Sequence, residues 1–590
     1  MIKISLQINK YRGILRPILK YFSETKFMLI RKPIFWIFLL ALFLRLFKLG
    51  EFPVGLHVDE VKVGWNAFSI LKTGLDDHGN FFSLYYDSFG DYRPAGVFYT
   101  AIPFILIFGK TIFAIRFSSA LIGAMTVIPL YLLTNIIFTK RNGVNRFNDI
   151  GSFASLMLAT SAWHIEVSRA TSEVAISAFF GLFGIYYFIK YIKNSKKIYA
   201  YISITMTILA TFLYHSIRLL APLFYLFIYL YFYKYLSYRK NNAYAFVSVS
   251  LIFILSIFFS STTGGFSRLN QVSILKDVDV TYEITRIRQE NLSGNVFNRL
   301  IDNKIVVYSR KLFTNYATYF SGDFLIGSSA KPYRYTTPGA GLLGYMEVFA
   351  FFVGLWHIIK NRNGYLPIIF LLISPIPAAL TWEDSPNLHR SLFMIPFMAT
   401  ISGYGLAITT NYFIKKYFKS VLFIKSILIL AFVFFNTFIF FHMYFYHSYN
   451  HKPFLKDYVV DNPTYRNSGT TELARRLNLI STDYELIVVA NFPDNPYPWY
   501  AFFNDIEPGL FNKKTYNPNS NERIWQNIVF SDSTCPSDFA FDKYNHKKML
   551  VIDSWACGYD SQIKAGLPAK VTEKIYRSDG GEAFVFMERS

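Results

Sequence analysis

The chain has 590 residues, 53% of them hydrophobic and 19% aromatic, a more apolar composition than a soluble globular domain carries. Its formal charge of +22 would suit a nucleic-acid partner, but the basic residues stand between apolar runs and not on one soluble face, so no nucleic-acid function is expected. No glycine-rich phosphate cradle and no nucleophile elbow occur, which argues against nucleotide cofactors or donors and against serine-hydrolase chemistry.

In chain order, a basic stretch (Lys3, Lys10, Arg12, Arg16, Lys20, Lys26, Arg31, Lys32) precedes the first apolar run and lacks a small-residue cleavage site, so it reads as an uncleaved anchor. Apolar runs follow at 33–49, 116–138, 150–167, 174–192, 198–214, 218–234, 243–260, 341–358, 365–381, 391–412 and 421–443. With their flanks, several reach the roughly 20 residues that cross about 30 Å of hydrocarbon, giving about eleven spans. With a cytoplasmic N-terminus, every short basic loop also falls inside: Lys140, Arg141 and Arg146; Lys190, Lys193, Lys196 and Lys197; Lys234, Arg239 and Lys240; Lys360 and Arg362; Lys415, Lys416 and Lys419. This holds only if the shorter apolar segment 95–109 lies along the outer surface.

The expectation is an α-helical polytopic membrane protein of the plasma or inner membrane. Residues 1–443 form the transmembrane part, with external loops at 50–115 and 261–340 and external juxtamembrane helices. Residues 444–590 form a small extracytoplasmic α/β domain, with strand-like runs at 485–490, 548–552 and 583–587. The only cysteines, Cys535 and Cys557, lie in this domain; an external location permits a disulfide, and two thiols remain the other reading.

Ionisable clusters recur at the external turns, where such groups mark function more often than packing. His57, Asp59 and Glu60 follow the first span. Adjacent carboxylates cannot point the same way on a helix, so one can face a substrate while the other caps the helix or binds a cation. His164, Glu166, Arg169 and Glu173 lie after the third span, and Tyr214, His215 and Arg218 after the fifth. Lys331, Arg334 and Tyr335 precede the eighth; Glu383, Asp384, Asn387, His389 and Arg390 follow the ninth. Carboxylates beside cations at lipid level suit a lipid-linked phosphate substrate: arginine offers phosphate a bidentate fork, and a carboxylate serves as base or metal ligand. With no cysteine near, a metal here would be a hard divalent cation, with Asp59 and Glu60 as its tentative ligands.

At these residues the sequence resembles the GT-C membrane glycosyltransferases, specifically the dolichyl-phosphate-mannose protein mannosyltransferase and aminoarabinose transferase superfamily. The matching features are Asp59-Glu60, Tyr92-Arg93-Pro94, Arg116-Phe117-Ser118-Ser119-Ala120, Trp163-His164 with Ser168-Arg169 and Glu173, Tyr214-His215 with Arg218, Arg334-Tyr335, and Asn387 with His389-Arg390. The resemblance covers about residues 30–400 and implies a polyprenyl-phosphate sugar donor used on the outer leaflet without a nucleotide. It also implies that Asp59, with Glu60 beside it, is the catalytic base or helps bind a divalent cation. Glu173 matches a second acidic position where many relatives have Asp, and Arg93-Pro94 stands where relatives often show two prolines or Lys-Pro. The acceptor is left open among protein, lipid and glycan.

The expected reaction is displacement at the anomeric carbon, with Asp59, Glu60 and Glu173 as catalytic candidates. Arg93, His164, Arg169, Tyr214, His215, Arg218, Lys331, Arg334, Tyr335, His389 and Arg390 are the substrate-binding candidates. The rival readings are a transporter or flippase of lipid-linked sugars and an oligosaccharide ligase. Against a transporter stand the clustering of charge at one face and the lack of a repeat.

Overall fold

The computed structural model describes residues 32–88, 91–138, 150–236, 242–262, 270–290, 303–327, 330–337, 339–362, 364–417, 421–447, 466–515, 522–544, 548–557 and 569–589. Of the basic residues that orient the chain, those at 3–31, Lys140, Arg141, Arg146, Arg239, Lys240 and Lys419 lie outside the described residues.

Helices make up most of the described chain before residue 447. Four are long and apolar enough to cross a membrane by length and composition: 112–138, Glu173–Asn194, Asn242–Ser261 and Ile429–Tyr446. Shorter apolar helices, among them Pro33–Leu46, Gly96–Phe108, Ile150–Thr160, Lys197–Leu213 and Ser216–Tyr231, accompany them. The chain is an integral membrane protein. Two apolar runs are divided by local chemistry. The 150–167 run breaks because Ser161 leaves helical geometry and its side chain caps Ala162–Arg169. The 365–381 run breaks at Ser374-Pro375, where proline opens a new turn, Ile376–Ala379. Helices Tyr345–Asn361 and Met394–Tyr417 cross at glycines: a Cβ on Gly405 would stand 1.9 Å from the Ala350 carbonyl oxygen, and one on Gly354 2.0 Å from that of Ile401.

The first long loop is built, not loose. Helix Val58–Thr73 opens with a capping box in which His57 accepts from the N-terminal backbone and the Glu60 side chain accepts from the His57 N–H. It ends at Gly74, left-handed at φ +76°. An antiparallel hairpin follows, β1 (Tyr85–Ser88) and β2 (Asp91–Pro94), then helix Gly96–Phe108, which takes up the shorter apolar segment 95–109.

The C-terminal region is a six-stranded mixed sheet ordered β4-β5-β3-β6-β8-β7, comprising β3 (Leu486–Val489), β4 (Arg523–Trp525), β5 (Ile528–Phe530), β6 (Met549–Ser554), β7 (Ala569–Tyr576) and β8 (Glu582–Arg589). β3 is central and parallel to β5 and β6, which explains its unbroken Leu-Ile-Val-Val run: both faces are covered. Leu486 and Val488 face one apolar cluster with Phe541. Ile487 and Val489 face another, which takes in Leu473 and Trp499 and, from the first loop and the following span, Val61, Trp65, Phe98 and Ile115. One core therefore joins the C-terminal sheet to the helix that carries Asp59. Cys535 and Cys557 form a disulfide.

Candidate active site

His57, not Asp59, is the N-cap of the 58–73 helix, and this leaves the Asp59 side chain available for other work. Its Oδ2 lies 2.8 Å from Arg93 Nη1, 3.6 Å from Arg334 Nη2 and 3.4 Å from His57 Nδ1. These are charge contacts without hydrogen-bond alignment, so Oδ2 is buried with no hydrogen-bond partner among the described residues, as is Arg334 Nε. Burial alone would raise the Asp59 carboxyl, but Arg93, His57 and Arg334 outweigh it and hold the group well below the ordinary carboxylate range. Asp59 is ionised at neutral pH. His57 is pulled down by burial and then by Arg334.

Glu60 points the other way and is 3% exposed. Arg116 meets it at 2.9 Å (Nε to Oε1) and 3.2 Å (Nη2 to Oε2), and Arg466 Nη2 donates to Oε2 at 2.5 Å. Both carboxylate oxygens are thus engaged by guanidinium groups. The cations paired directly with Asp59 are likewise guanidinium groups, those of Arg93 and Arg334, while Lys62, Asp494 and Glu173 sense its charge from farther off. This shell does not fit a resident divalent cation on Asp59 and Glu60, and no chemical step below passes through one. A separate acidic group, Asp76, Asp77 and His78, brings one ligand atom from each residue within 4.8 Å of the others. There the Asp76 oxygens accept from His78 N, Asn80 N and Ser83 Oγ within the loop.

Arg93 and Arg334 also border a cavity of about 790 Å³. Its polar lining includes Glu173, Tyr214, His215, Arg218, Tyr335, His389 and Arg390, together with Glu383, Asp384 and Asn387. Its apolar lining includes Leu219, Pro222, Leu223, Phe253 and Ile257 from two helices, 216–231 and 242–262. His389 is braced on every side. Its Nδ1 meets Tyr214 Oη at 3.2 Å, its Nε2 meets Ser172 Oγ at 3.0 Å, and Tyr335 stacks on it at 4.8 Å. Burial, then Arg334, Arg93 and Arg390, hold this imidazole well below its ordinary range, so it is neutral at physiological pH. Arg390 is paired with Glu383 Oε2 at 2.7 Å and also donates to Thr381 Oγ1. Arg218 donates to the carbonyls of Thr211 and Phe259 at the ends of two helices.

Three substrate-binding candidates are not among the cavity-lining residues. His164 is fully buried with Nδ1 3.0 Å from Arg45 Nη2. Arg169 donates to the carbonyls of Leu44, Arg45 and Phe52, closing the end of the first apolar helix. Lys331 stitches two turns through its backbone, from its N–H to the Pro386 carbonyl and from Leu388 N–H to its own carbonyl. Sequence reasoning missed Lys62, Asp494 and Arg466. Lys62, buried one helical turn from Asp59, is lowered to about 8 by burial, with Asp77 and Asp59 opposing. Asp494 is raised by burial, and its Oδ2 accepts from Asn467. Only the apolar period of the 58–73 helix hinted at Lys62; nothing in the sequence marked the other two.

No protein-family model matches the sequence, and no curated protein matches it. Among solved structures, the chain is similar to ArnT from Cupriavidus metallidurans bound to undecaprenyl phosphate, with a TM-score of 0.51 at 12% identity over 94% of this chain and 96% of that one. Archaeoglobus fulgidus oligosaccharyltransferase AglB, in complex with an inhibitory peptide and a dolichol-phosphate, aligns with a TM-score of 0.48 at 11% identity, over 96% of this chain and 74% of that one. Another structure of an oligosaccharyltransferase from that organism, with zinc and sulfate, aligns with a TM-score of 0.43 at 12% identity over 83% of this chain; there the alignment spans 59% of the relative's length. The likeness to ArnT shows the fold, and it is the GT-C fold that the ordered motifs implied.

Proposed function

We propose that this chain transfers a sugar from a polyprenyl-phosphate donor to an acceptor on the extracytoplasmic face of the membrane. The observation that carries the reading is the mixed lining of the cavity, where Arg93, Arg334, Arg218 and Arg390 stand with span residues Leu219, Leu223, Phe253 and Ile257. A phosphate with an isoprenoid tail combines the same two kinds of group. The fold shared with ArnT, whose structure holds undecaprenyl phosphate, supports the same class of ligand.

In this reading the acceptor oxygen attacks the anomeric carbon, the bond from that carbon to the phosphate oxygen breaks, and the polyprenyl phosphate leaves as an anion. The acceptor proton passes to Asp59 Oδ2. While Arg93 sits on Asp59, that carboxylate is a weak base. Arg93 and Arg334 both border the cavity as well, so an arriving phosphate competes for them and restores basicity to Asp59 as the sugar donor binds. Glu173, which lines the same cavity, is assigned to a hydroxyl of the sugar.

The test is to supply the purified protein in membranes with defined polyprenyl-phosphate sugars and an acceptor panel, and to follow products by mass spectrometry. Glycosylated acceptor with equimolar free polyprenyl phosphate supports transfer. Movement of the intact sugar donor between leaflets without its cleavage would replace this reading with a flippase.

A further inference from the structure

The segment that opens the C-terminal domain carries a buried arginine whose side-chain hydrogen bonds, among the described residues, all go to earlier parts of the chain. Arg466 is 1% exposed. Its guanidinium donates to Glu60 Oε2 at 2.5 Å, to the Arg334 carbonyl at 2.6 Å and to the Val54 carbonyl at 3.2 Å. The three acceptors sit on three separate segments: the approach loop, the first turn of the 58–73 helix, and the Tyr333–Tyr335 turn. Those segments meet around Asp59.

A second contact fixes the same junction without charge. Gly55 adopts φ +77°, and a Cβ added there would stand 2.4 Å from the Arg466 carbonyl oxygen. No side chain fits between the two backbones, and the left-handed conformation disfavours one independently. Behind this point, Leu473 and Trp499 of the C-terminal domain share an apolar core with Val61 and Trp65 of the helix. Trp65 Nε1 also donates to Asn512 Oδ1 at 3.0 Å.

We propose that the C-terminal domain is a working part of the catalytic centre, with Arg466 the positioning residue that fixes the Arg334 turn against Asp59. The inference rests on the transfer reading above, which gives Asp59 and Arg334 their roles. Among the described residues Arg466 makes no ion pair with a cavity-lining side chain; it acts through Glu60 and through the Arg334 backbone. Glu60 retains Arg116 when Arg466 is changed, so the helix start keeps a counterion. The Arg334 carbonyl, by contrast, loses the bond that Arg466 supplies.

Arg466→Lys retains a cation for Glu60 but lacks the fork that spans all three acceptors. Gly55→Ala disturbs the junction with no change of charge. Arg476→Gln, which breaks a half-exposed pair with Glu573 inside the C-terminal domain, is the control. Each is measured in the full chain for kcat, for KM of a polyprenyl-phosphate sugar, and for backbone hydrogen exchange. The expected result is a fall in kcat of about 30- to 100-fold for Arg466→Lys and Gly55→Ala with KM changed less than about threefold, because a misplaced catalytic group costs turnover before affinity. The amides of Lys331 and Tyr335, hydrogen-bonded to Pro386 and Pro332, should exchange at least about tenfold faster, while Arg476→Gln changes neither readout.

Unchanged kcat in either folded junction variant overturns the proposal. So does a loss of activity that only tracks the loss of folded protein. If Arg466→Lys does not fold, Gly55→Ala decides. If the wild-type chain transfers no sugar from any such lipid, the transfer reading fails by itself, and hydrogen exchange at Lys331 and Tyr335 still judges whether Arg466 holds the turn.

Discussion

The surroundings of Asp59 and the buried arginines nearby use the same residue types differently. The buried arginines close carbonyls. Arg45 donates to Ala41, Leu158 and Ala159, Arg169 to Leu44, Arg45 and Phe52, and Arg116 to Leu49, Pro53 and Gly55 as well as Glu60. Helix ends leave such carbonyls without intrahelical partners, and near hydrocarbon there is little water to replace them. Around Asp59, by contrast, its Oδ2 and Arg334 Nε have no hydrogen-bond partner among the described residues. Asp59 and Glu60 show the contrast within one peptide. About 100° of helical rotation separates a carboxylate that faces Arg93 and Arg334 from one locked between Arg116 and Arg466.

The largest effect that can break this contrast is chemical. Asp59→Asn should lower turnover about 10²- to 10⁴-fold with the melting temperature held, because general-base assistance has that magnitude. Steady-state transfer with a thermal melt decides it, and a variant keeping most of its rate sinks the assignment. Glu60→Gln should do the reverse. Removing one partner of a buried ion pair costs about 3–5 kcal/mol, since Arg116 and Arg466 are left with uncompensated charge. Denaturation of the folded variant in detergent reads this directly. A loss of rate at Glu60 with no loss of stability would move the chemistry to that carboxylate.

Much of the fold was legible because membrane spans and buried strands state themselves in composition. The run 485–490 reads as a strand and 174–192 as a span from the residues alone, and the structure has β3 at Leu486–Val489 and a long apolar helix at Glu173–Asn194. The site was legible by residue type and not by allocation. Arg334, Tyr335 and His389 border the cavity, whereas Arg169 and His164, in an equally suggestive cluster, are buried away from it. Sequence gives no sign of which arginine will meet a carbonyl, because that depends on where helices end against one another. Arg466 was invisible for a related reason: its three partners are more than a hundred residues away, in segments that share no pattern with it.

A middling effect should come from Glu383. Its carboxylate pairs with Arg390 on the cavity wall and is 41% exposed. In Glu383→Gln, Arg390 is no longer offset by that charge, so KM for the sugar donor should fall about twofold to fivefold, the scale of a part-exposed ion pair. Titration of polyprenyl phosphate as a competitive inhibitor checks it. A rise in KM would mean that Glu383 contacts the sugar itself.

The smallest expected effect tests the exchange of Arg93 between Asp59 and phosphate. In the chain without sugar donor, Arg93, His57 and Arg334 overcome burial and hold Asp59 well below the ordinary range, so the base form persists to low pH and is lost only as pH falls through that depressed value. With the sugar donor bound, its phosphate shares those guanidinium groups and the Asp59 value rises. The acid limb of kcat, which reports the bound state, should then lie about one pH unit above the acid limb of kcat/KM for the sugar donor, which reports the free state. Arg93→Gln removes the nearer cation in both states, so it should raise the free-state limb and narrow the gap between the two. If the limbs coincide in the wild-type chain, Arg93 stays on Asp59 throughout the reaction. The cavity's guanidinium would then be as fixed as those of the junction.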